Sequence, residues 1–336
     1  MKASDVKEVI CQSIRNPKDS PSLFIWGGPG IGKSSVVRQA AEEEGVDCLD
    51  IRLVLLDPTD LRGIPIPEDG EAKWLPPAFL PKEGKGVIFI DELNVAPPLV
   101  QNTALQLVLD RKIGEYTLPD GYAIVAAGNR ETEAFVNRMS PPLLNRFIHI
   151  NFGGNPFPDG DDVKEWLNWA VKNNIDAQLI AFLTQFKPGL LYQFDTDKKA
   201  YPTPRSWSNV SKIIQNGYSE QLKLELINGC VGEGAAIEFK AYTDTWLKLP
   251  NLDGILAGDD VIPETIDLIY ACCIGLVMKA STTEHFNRLL EYSLKLDREF
   301  TIFMVKMLYQ KDKDKLIGCE GWKEFAKTLV TVEEIL

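Results

Sequence analysis

Short apolar segments rich in β-branched and aromatic residues alternate with stretches of helical periodicity through the first 150 residues. The apolar segments are SLFIW (22–26), CLDIRL (48–53), VIFID (87–91), YAIVAA (122–127) and FIHINF (147–152). Between them, residues 34–44 and 97–109 place apolar side chains at helical spacing. Strands that are apolar on both faces suit a parallel sheet covered by helices on either side. The pattern therefore predicts an α/β domain built from βαβ units.

Two stretches do not read as simple crossover helices. Residues 57–81 are rich in proline and contain several turn signals. Residues 112–128 alternate as a strand does, and Pro119-Asp120-Gly121 predicts the turn of a hairpin within them. We expect both stretches to be β-hairpins inserted into the α/β core.

Helical patterns dominate from residue 156 to the end of the chain. Segments such as DDVKEWLNWAVKNN and RSWSNVSKIIQNG have amphipathic spacing. The change in pattern predicts an α/β core over residues 1–152, a helical region over 153–218 and a further helical region over 219–336.

Composition and charge narrow the classes of function. The chain has 36 Lys and Arg residues against 48 Asp and Glu, a formal net charge of −12, which makes nucleic acid an improbable main partner because binding phosphates needs a positive surface. No apolar run is long enough to span a membrane, and the N-terminus lacks a signal sequence. The six cysteines show no disulfide or metal spacing. We expect a cytoplasmic protein.

The strongest chemical signal is GGPGIGKSS, which follows the SLFIW strand and opens a helix. Its glycines let backbone N–H groups surround a phosphate at the positive end of that helix. The residues expected to contact the nucleotide are Gly28, Pro29, Gly30, Ile31, Gly32, Lys33, Ser34 and Ser35. Lys33 would reach the β- and γ-phosphates, and Ser34 would ligate magnesium. The alternative is a chance Gly-rich turn, but the flanking strand and helix favour ATP with Mg²⁺ as the ligand.

Polar residues at the ends of two further strands complete the candidate site. Asp91 ends the VIFID strand and would hold the magnesium shell together with Ser34, and Glu92 would activate the attacking water. Asn129 follows the YAIVAA strand and would contact the γ-phosphate or the water. The alternatives are a solvated acidic pair at 91–92 and an asparagine that only caps the next helix.

These motifs, followed by PPLLNRF, resemble those of AAA+ ATPases. Within that superfamily, DELNVAPPLVQNTALQLVLD, DLRGIP with WLPPAFLP, and KIGEYTLPDGYAIVAAGNR resemble the MoxR group and its relatives with hairpin insertions. The resemblance covers residues 1 to about 215. It implies the parallel sheet of a P-loop NTPase, an AAA+ core with β-hairpin insertions, followed by an α-helical lid at 153–218 and a helical C-terminal region.

The resemblance also assigns roles to arginines. Arg146, in Leu-Asn-Arg-Phe, matches the arginine finger that reaches a neighbouring subunit's γ-phosphate. Arg205 matches the second sensor at the start of a lid helix, although it could instead cover apolar surface beside Trp207. The segment NRMSPPLLNRF lacks the acidic stretch that is common before the finger in the MoxR group. Arg130 and Arg138 therefore remain alternatives to Arg146. Arg146 could also be a surface arginine without this role.

The function that the resemblance implies is Mg-dependent ATP hydrolysis by a ring, a homohexamer, that remodels a partner protein in the manner of a chaperone. Relatives often act with a client or adaptor that contains a von Willebrand factor A domain. One alternative is a nucleic-acid motor or nuclease-associated NTPase with the same ATP site. Another is a scaffold that binds ATP without turnover, which the presence of Glu92 disfavours.

Overall fold

The computed structural model describes residues 1–130, 136–154, 157–322 and residue 325. The chain divides into two compact units, Met1–Asn155 and Pro156–Leu336. The first contains strands and helices, and the described part of the second is helical.

A five-stranded parallel sheet forms the centre of the first unit. The strands of this unit are β1 (Ser22–Trp26), β2 (Asp47–Arg52), β3 (Ile64–Glu68), β4 (Glu71–Leu75), β5 (Gly86–Asp91), β6 (Lys112–Ile113), β7 (Tyr116–Thr117), β8 (Tyr122–Gly128) and β9 (Phe147–Asn151). The central sheet has the order β2-β5-β8-β1-β9, and each neighbouring pair is parallel. All five strands predicted from apolar segments are confirmed to within one residue at either end, which establishes the predicted α/β class.

Helices cover both faces of this sheet. They are α1 (Ala3–Arg15), α2 (Lys33–Glu43), α3 (Pro58–Arg62), α4 (Pro98–Asp110) and α5 (Pro141–Leu144), with a 3₁₀ turn at Leu53–Leu55. Ile88 and Ile90 of β5 share a core with α4, whereas Val87 and Phe89 are buried on the opposite face of the strand. Helices α1 and α2 pack against each other and contact β8. Burial on both faces explains why the central strands β5 and β8 are continuously apolar.

Both predicted hairpin insertions exist, but one has its turn elsewhere. β3 and β4 pair in antiparallel fashion around Asp69 (φ 52°) and Gly70 (φ 83°), as in a two-residue turn with both central residues left-handed. The second hairpin joins β6 to β7 through Gly114 (φ 57°) and the next residue. The prediction of its turn at residues 119–121 was wrong, because those residues bend the chain into β8, a strand of the parallel sheet.

The second unit consists of helices around one hydrophobic core. The helices are α6 (Gly160–Lys172), α7 (Ala177–Ala181), α8 (Pro204–Gln215), α9 (Glu220–Val231), α10 (Glu233–Trp246), α11 (Leu252–Ala257), α12 (Ile266–Lys279), α13 (Thr283–Ser293), α14 (Arg298–Lys311) and α15 (Lys313–Ile317), with a π-helix at Phe182–Phe186 and a 3₁₀ turn at Pro188–Leu191. No helix within the described ranges is long and apolar enough to cross a membrane.

Aromatic side chains join the two helical regions that the sequence distinguishes in this unit. Phe182 and Trp207 precede residue 218, and Phe239 follows it. Their ring centroids lie 5.2 to 6.1 Å apart. The described helices before and after residue 218 in this unit therefore share one core. The assignment of residues 153–218 to a lid and of 219–336 to a separate C-terminal region remains a prediction.

Candidate nucleotide-binding site

The glycine-rich loop connects β1 to α2 in a conformation that requires glycine. Gly30 and Gly32 have φ values of 76° and 111°, in the left-handed region that other residues rarely adopt. At Gly27, a Cβ atom would approach Ile31 Cδ1 to 2.4 Å. A side chain at Gly30 or Gly32 would therefore strain the backbone, and one at Gly27 would require the Ile31 side chain to move.

The loop ends at the N-terminus of α2, where backbone N–H groups have no partner inside the helix. Gly32 is the N-cap, the first turn contains no acidic residue, and no side chain among the described residues caps it. The helix dipole adds positive potential at the same end. This arrangement suits a phosphate group.

Lys33 is buried beneath the loop and connects it to Asn129. Its Nζ donates to the carbonyl oxygens of Gly27 and Gly28 at 2.6 and 2.9 Å, and to Asn129 Oδ1 at 2.9 Å. The side chain is only 8% exposed. The ammonium group is thus held between the loop and the end of β8.

Three neighbouring strands deliver the candidate residues to one edge of the sheet. β5, β8 and β1 lie side by side, and their carboxyl ends lead to Asp91, to Asn129 and to the loop. Ser34 Oγ donates a hydrogen bond of 2.8 Å to Asp91 Oδ2. The structure therefore brings together Lys33, Ser34, Asp91 and Asn129, at the edge where parallel sheets bind their ligands.

The oxygen atoms of Ser34 and Asp91 fit a magnesium ion. Mg²⁺ prefers hard oxygen ligands in octahedral geometry, in which neighbouring oxygens are about 2.9 Å apart. The Oγ to Oδ2 separation of 2.8 Å meets that requirement. Asp91 is also 92% buried, since its relative exposure is 8%, so few water molecules can compete for it.

Glu92 has an unusual backbone conformation. Its φ of 55° lies in the left-handed region, and its N–H donates to Asp91 Oδ1 at 3.0 Å. Non-glycine residues adopt this conformation at a cost and are enriched at functional sites. The Glu92 side chain is exposed, beside the buried carboxylate of Asp91.

Asn94 holds the backbone of Asn129 in place, a function not foreseen from the sequence. Its Nδ2 donates to the Asn129 carbonyl at 2.7 Å, and its Oδ1 accepts from the Asn129 N–H at 3.2 Å. A Cβ at Gly128 would approach Asn94 Oδ1 to 2.6 Å, so glycine is needed there. The side-chain amide of Asn94 thus bonds both backbone groups of Asn129, as a neighbouring strand would. Only the polar character of a residue three positions after Asp91 signals this in the sequence.

The four candidate arginines occupy different settings. Arg146 is exposed in the segment between α5 and β9, and Arg138 is exposed before α5. Arg130 is partly buried next to Asn129. Arg205 is the second residue of α8, in the second unit, where Thr203 Oγ1 caps the helix. Their roles as finger and sensor remain predictions.

Comparison with known families agrees with this geometry. Residues 22–147 match the family described as "AAA domain (dynein-related subfamily)". These residues form an AAA+ ATPase domain. The match begins at the first residue of β1 and ends at the first residue of β9, so the AAA+ domain encloses the loop, Asp91, Glu92 and Asn129. Proteins of this class hydrolyse nucleotide in general, whereas the narrower likeness to the MoxR group stays a prediction.

Two of the solved structures that match this chain share little sequence identity with it. The RuvB Holliday junction branch migration motor of Thermotoga maritima is 16% identical, with a TM-score of 0.44 over 77% of this chain and 78% of that one. NtrX of Brucella abortus is 15% identical, with a TM-score of 0.41 over 97% of this chain and 67% of that one. Similarity at this level supports no conclusion about function. Among curated proteins, no significant match was found.

Proposed function

We propose that this AAA+ domain binds ATP with Mg²⁺ and hydrolyses it within a ring, a homohexamer, that remodels a partner protein. The observation that carries the proposal is the convergence of Lys33, Ser34, Asp91 and Asn129 at one sheet edge, linked by hydrogen bonds of 2.8 to 2.9 Å. Each has the chemistry that phosphoryl transfer needs, which is mainly positioning and charge stabilisation.

The roles follow from where each group lies. Residues 28–35 hold the phosphates through backbone N–H groups, and Lys33 neutralises their charge. Ser34 and Asp91 would hold the magnesium ion, which would neutralise charge on the phosphate oxygens. Glu92, exposed beside the buried Asp91, takes the proton of the attacking water. Asn129, whose Oδ1 accepts a hydrogen bond from Lys33 Nζ, orients the γ-phosphate or that water.

Arg146 supplies a positive charge to the site of a neighbouring subunit. It is exposed on a short segment between two buried residues, Leu143 and Phe147. A cation arriving in trans stabilises the charge of the transition state and makes hydrolysis depend on assembly. Arg205 is the second sensor arginine, as the resemblance to the MoxR group suggests.

The partner is a client or adaptor protein, and the same resemblance suggests one with a von Willebrand factor A domain. A nucleic-acid motor would require basic residues on the inserted hairpins. The β3–β4 hairpin has one, Lys73, and its Nζ lies 2.8 Å from a carboxylate oxygen of Glu68. Asp69 and Glu71 make this hairpin acidic. A protein partner is therefore favoured over nucleic acid.

A mixing experiment tests the shared active site. Lys33→Ala should weaken nucleotide binding, and Arg146→Ala should abolish turnover while leaving nucleotide affinity nearly intact. Mixing the two variants should restore part of the ATPase activity, because a mixed ring pairs an intact loop with an intact finger. Sedimentation of each mixture controls for assembly.

Absence of recovery in mixtures that do assemble would contradict the trans role of Arg146. The same mixture prepared with Arg138→Ala in place of Arg146→Ala then identifies whether that arginine is the finger. Full activity of Arg146→Ala alone would exclude it from the reaction.

A further inference from the structure

His149 links the finger segment, which is residues 144–147 around the candidate finger Arg146, to the start of the phosphate loop. It lies on β9, the edge strand next to β1. Its Nδ1 is 2.8 Å from Trp26 Nε1, and its Nε2 is 2.9 Å from the carbonyl oxygen of Leu144. Trp26 immediately precedes Gly27, and Leu144 lies two residues before Arg146.

The chemistry of the partners determines where the imidazole carries its proton. An indole N–H can only donate, so Nδ1 of His149 accepts from Trp26. A carbonyl oxygen can only accept, so Nε2 carries the proton and donates it to Leu144. Both ring nitrogens of one neutral tautomer are therefore used, and the ring orientation is determined.

The bond to Leu144 closes a short loop around Arg146. Helix α5 ends at Leu144, and the last carbonyls of a helix have no partner within it. His149 supplies that partner from five residues further along the chain. Arg146, in the middle of the closed segment, is exposed between fixed points at Leu144 and Phe147, which is 7% exposed.

Aromatic packing fixes the position of Trp26, which donates the hydrogen bond to His149. Trp26 stacks on Phe24 at a centroid distance of 4.2 Å, and the Phe24 ring meets Phe147 edge to face at 5.3 Å. The indole of Trp26 is therefore not free to follow a moving imidazole. Movement of the finger segment relative to β1 has to break a hydrogen bond or shift this stack.

We propose that His149 is the positioning residue of the finger: anchored on Trp26, it fixes Leu144 and thereby places Arg146 for the neighbouring subunit's site. The proposal rests on the trans role of Arg146 put forward above. It predicts that loss of His149 damages the finger that a subunit donates and spares the phosphate loop of that same subunit.

Complementation between variants separates these two effects. His149→Phe keeps an aromatic ring but removes both hydrogen bonds, and we expect turnover to fall about tenfold to a hundredfold, as for a displaced catalytic group, with nucleotide binding retained. Mixing it with Lys33→Ala should restore activity, because the ring then contains intact fingers and intact loops. Mixing it with Arg146→Ala should restore none, since both proteins lack a placed finger.

Two conservative variants resolve which bond matters. His149→Gln places an amide donor near the position of Nε2 and should recover part of the turnover, whereas His149→Asn is too short to reach Leu144 and should not. Recovery with Arg146→Ala but not with Lys33→Ala would overturn the proposal, because His149 would then act on its own loop. Wild-type turnover of His149→Phe would overturn it too. Failure of the Arg146→Ala and Lys33→Ala mixture itself would instead disprove the trans finger.

Discussion

Glu92 combines the left-handed backbone at the end of β5 with an exposed carboxylate beside the buried Asp91. We expect Glu92→Gln to bind ATP as the wild type does, because the phosphate loop and Asp91 are untouched. Turnover should fall about a hundredfold or more, the usual loss when a general base is removed. Equilibrium binding of a labelled nucleotide and steady-state phosphate release measure the two quantities. Turnover at the wild-type rate would show that another group activates the water.

Asn94 provides a second test at the level of single residues. Asn94→Ala leaves both backbone groups of Asn129 without their partners, which should lower the free energy of unfolding by about 1–3 kcal/mol. Turnover should fall with little change in nucleotide affinity, since Lys33 and the loop remain. Urea denaturation and ATPase assays measure these effects.

Thr103→Val is the matched control for Asn94→Ala. Thr103 is also buried, and its Oγ1 donates to the Leu99 carbonyl within α4 and not to a residue of the candidate site. The control should lose stability without losing turnover. Equal losses of turnover in the two variants would mean that Asn94 acts through general stability and not through Asn129.

The residues of the site differ in how visible they are in the sequence. The phosphate loop, Asp91 and Asn129 could be predicted because each follows an apolar strand, and parallel strands bring their carboxyl ends to one edge. Asn94 and His149 could not, because they bond to the backbone of Asn129 and to the carbonyl of Leu144. Main-chain groups leave no trace in side-chain identity, and the Trp26 indole that His149 also contacts is 123 residues away along the chain. Only the folded structure reveals these contacts.

The β3–β4 hairpin is the element most suited to contact a partner protein. All ten of its strand residues are exposed, among them Ile64 at 68% and Leu75 at 57%. These two are register partners on one face of the hairpin. A two-stranded ribbon without a buried face contributes little to the stability of the core, so its apolar side chains are better explained by binding.

Replacing Pro67–Lys73 with a short Gly-Ser link should leave assembly and basal ATP hydrolysis near the wild-type level. Capture of the client should be lost. The measurement compares the proteins that co-purify from the host in ATP with the Glu92→Gln trap, with and without the shortened hairpin. Asp69→Asn is the matched control, because asparagine also tolerates the left-handed turn and keeps the ribbon intact. Unchanged capture by the shortened protein would redirect attention to residues 112–122.

Strands were more predictable than turns in this chain. All five apolar runs became strands of the sheet, although β2 and β9, at its edges, are only partly buried. Pro119-Asp120-Gly121 is equally compatible with a hairpin and with a bend into a parallel strand, since both need a tight turn. The hairpin turned instead at Gly114, and Tyr122 N–H donates to the Pro119 carbonyl at the entry to β8. Local turn chemistry predicts that a turn exists but not which strands it joins.

On the scale of the whole molecule, the two units differ in what holds them together. The first is organised by the sheet, and its polar edge carries the candidate site. The second depends on side-chain packing around one core, in which Cys272 and Cys273 are 2% and 0% exposed. Burial raises the pKa of the Cys272 thiol from 9.0 to about 11, and it raises the pKa of the Cys273 thiol as well. Both thiols therefore stay protonated in the folded unit at pH values at which the unfolded chain loses these protons.

The raised thiol pKa values predict that Cys272 and Cys273 contribute a loss of stability to the second unit as pH rises above about 9. An acid whose pKa is raised by folding binds more protons in the folded state, so the free energy of unfolding falls with pH from the unfolded pKa upwards. Between pH 8 and pH 10, two such thiols should account for a loss of about 2–3 kcal/mol. Lys311 acts in the opposite direction, because burial lowers its pKa to about 8 and the unfolded chain then binds the extra proton.

Comparing wild type with the Cys272→Ala/Cys273→Ala variant cancels the Lys311 contribution. Between the two pH values, urea denaturation should show the free energy of unfolding changing by about 2–3 kcal/mol less favourably in the wild type than in the variant. The cavities in the variant make it less stable at pH 8, but they do not titrate. Equal changes in both proteins would show that the thiols are not the groups that titrate.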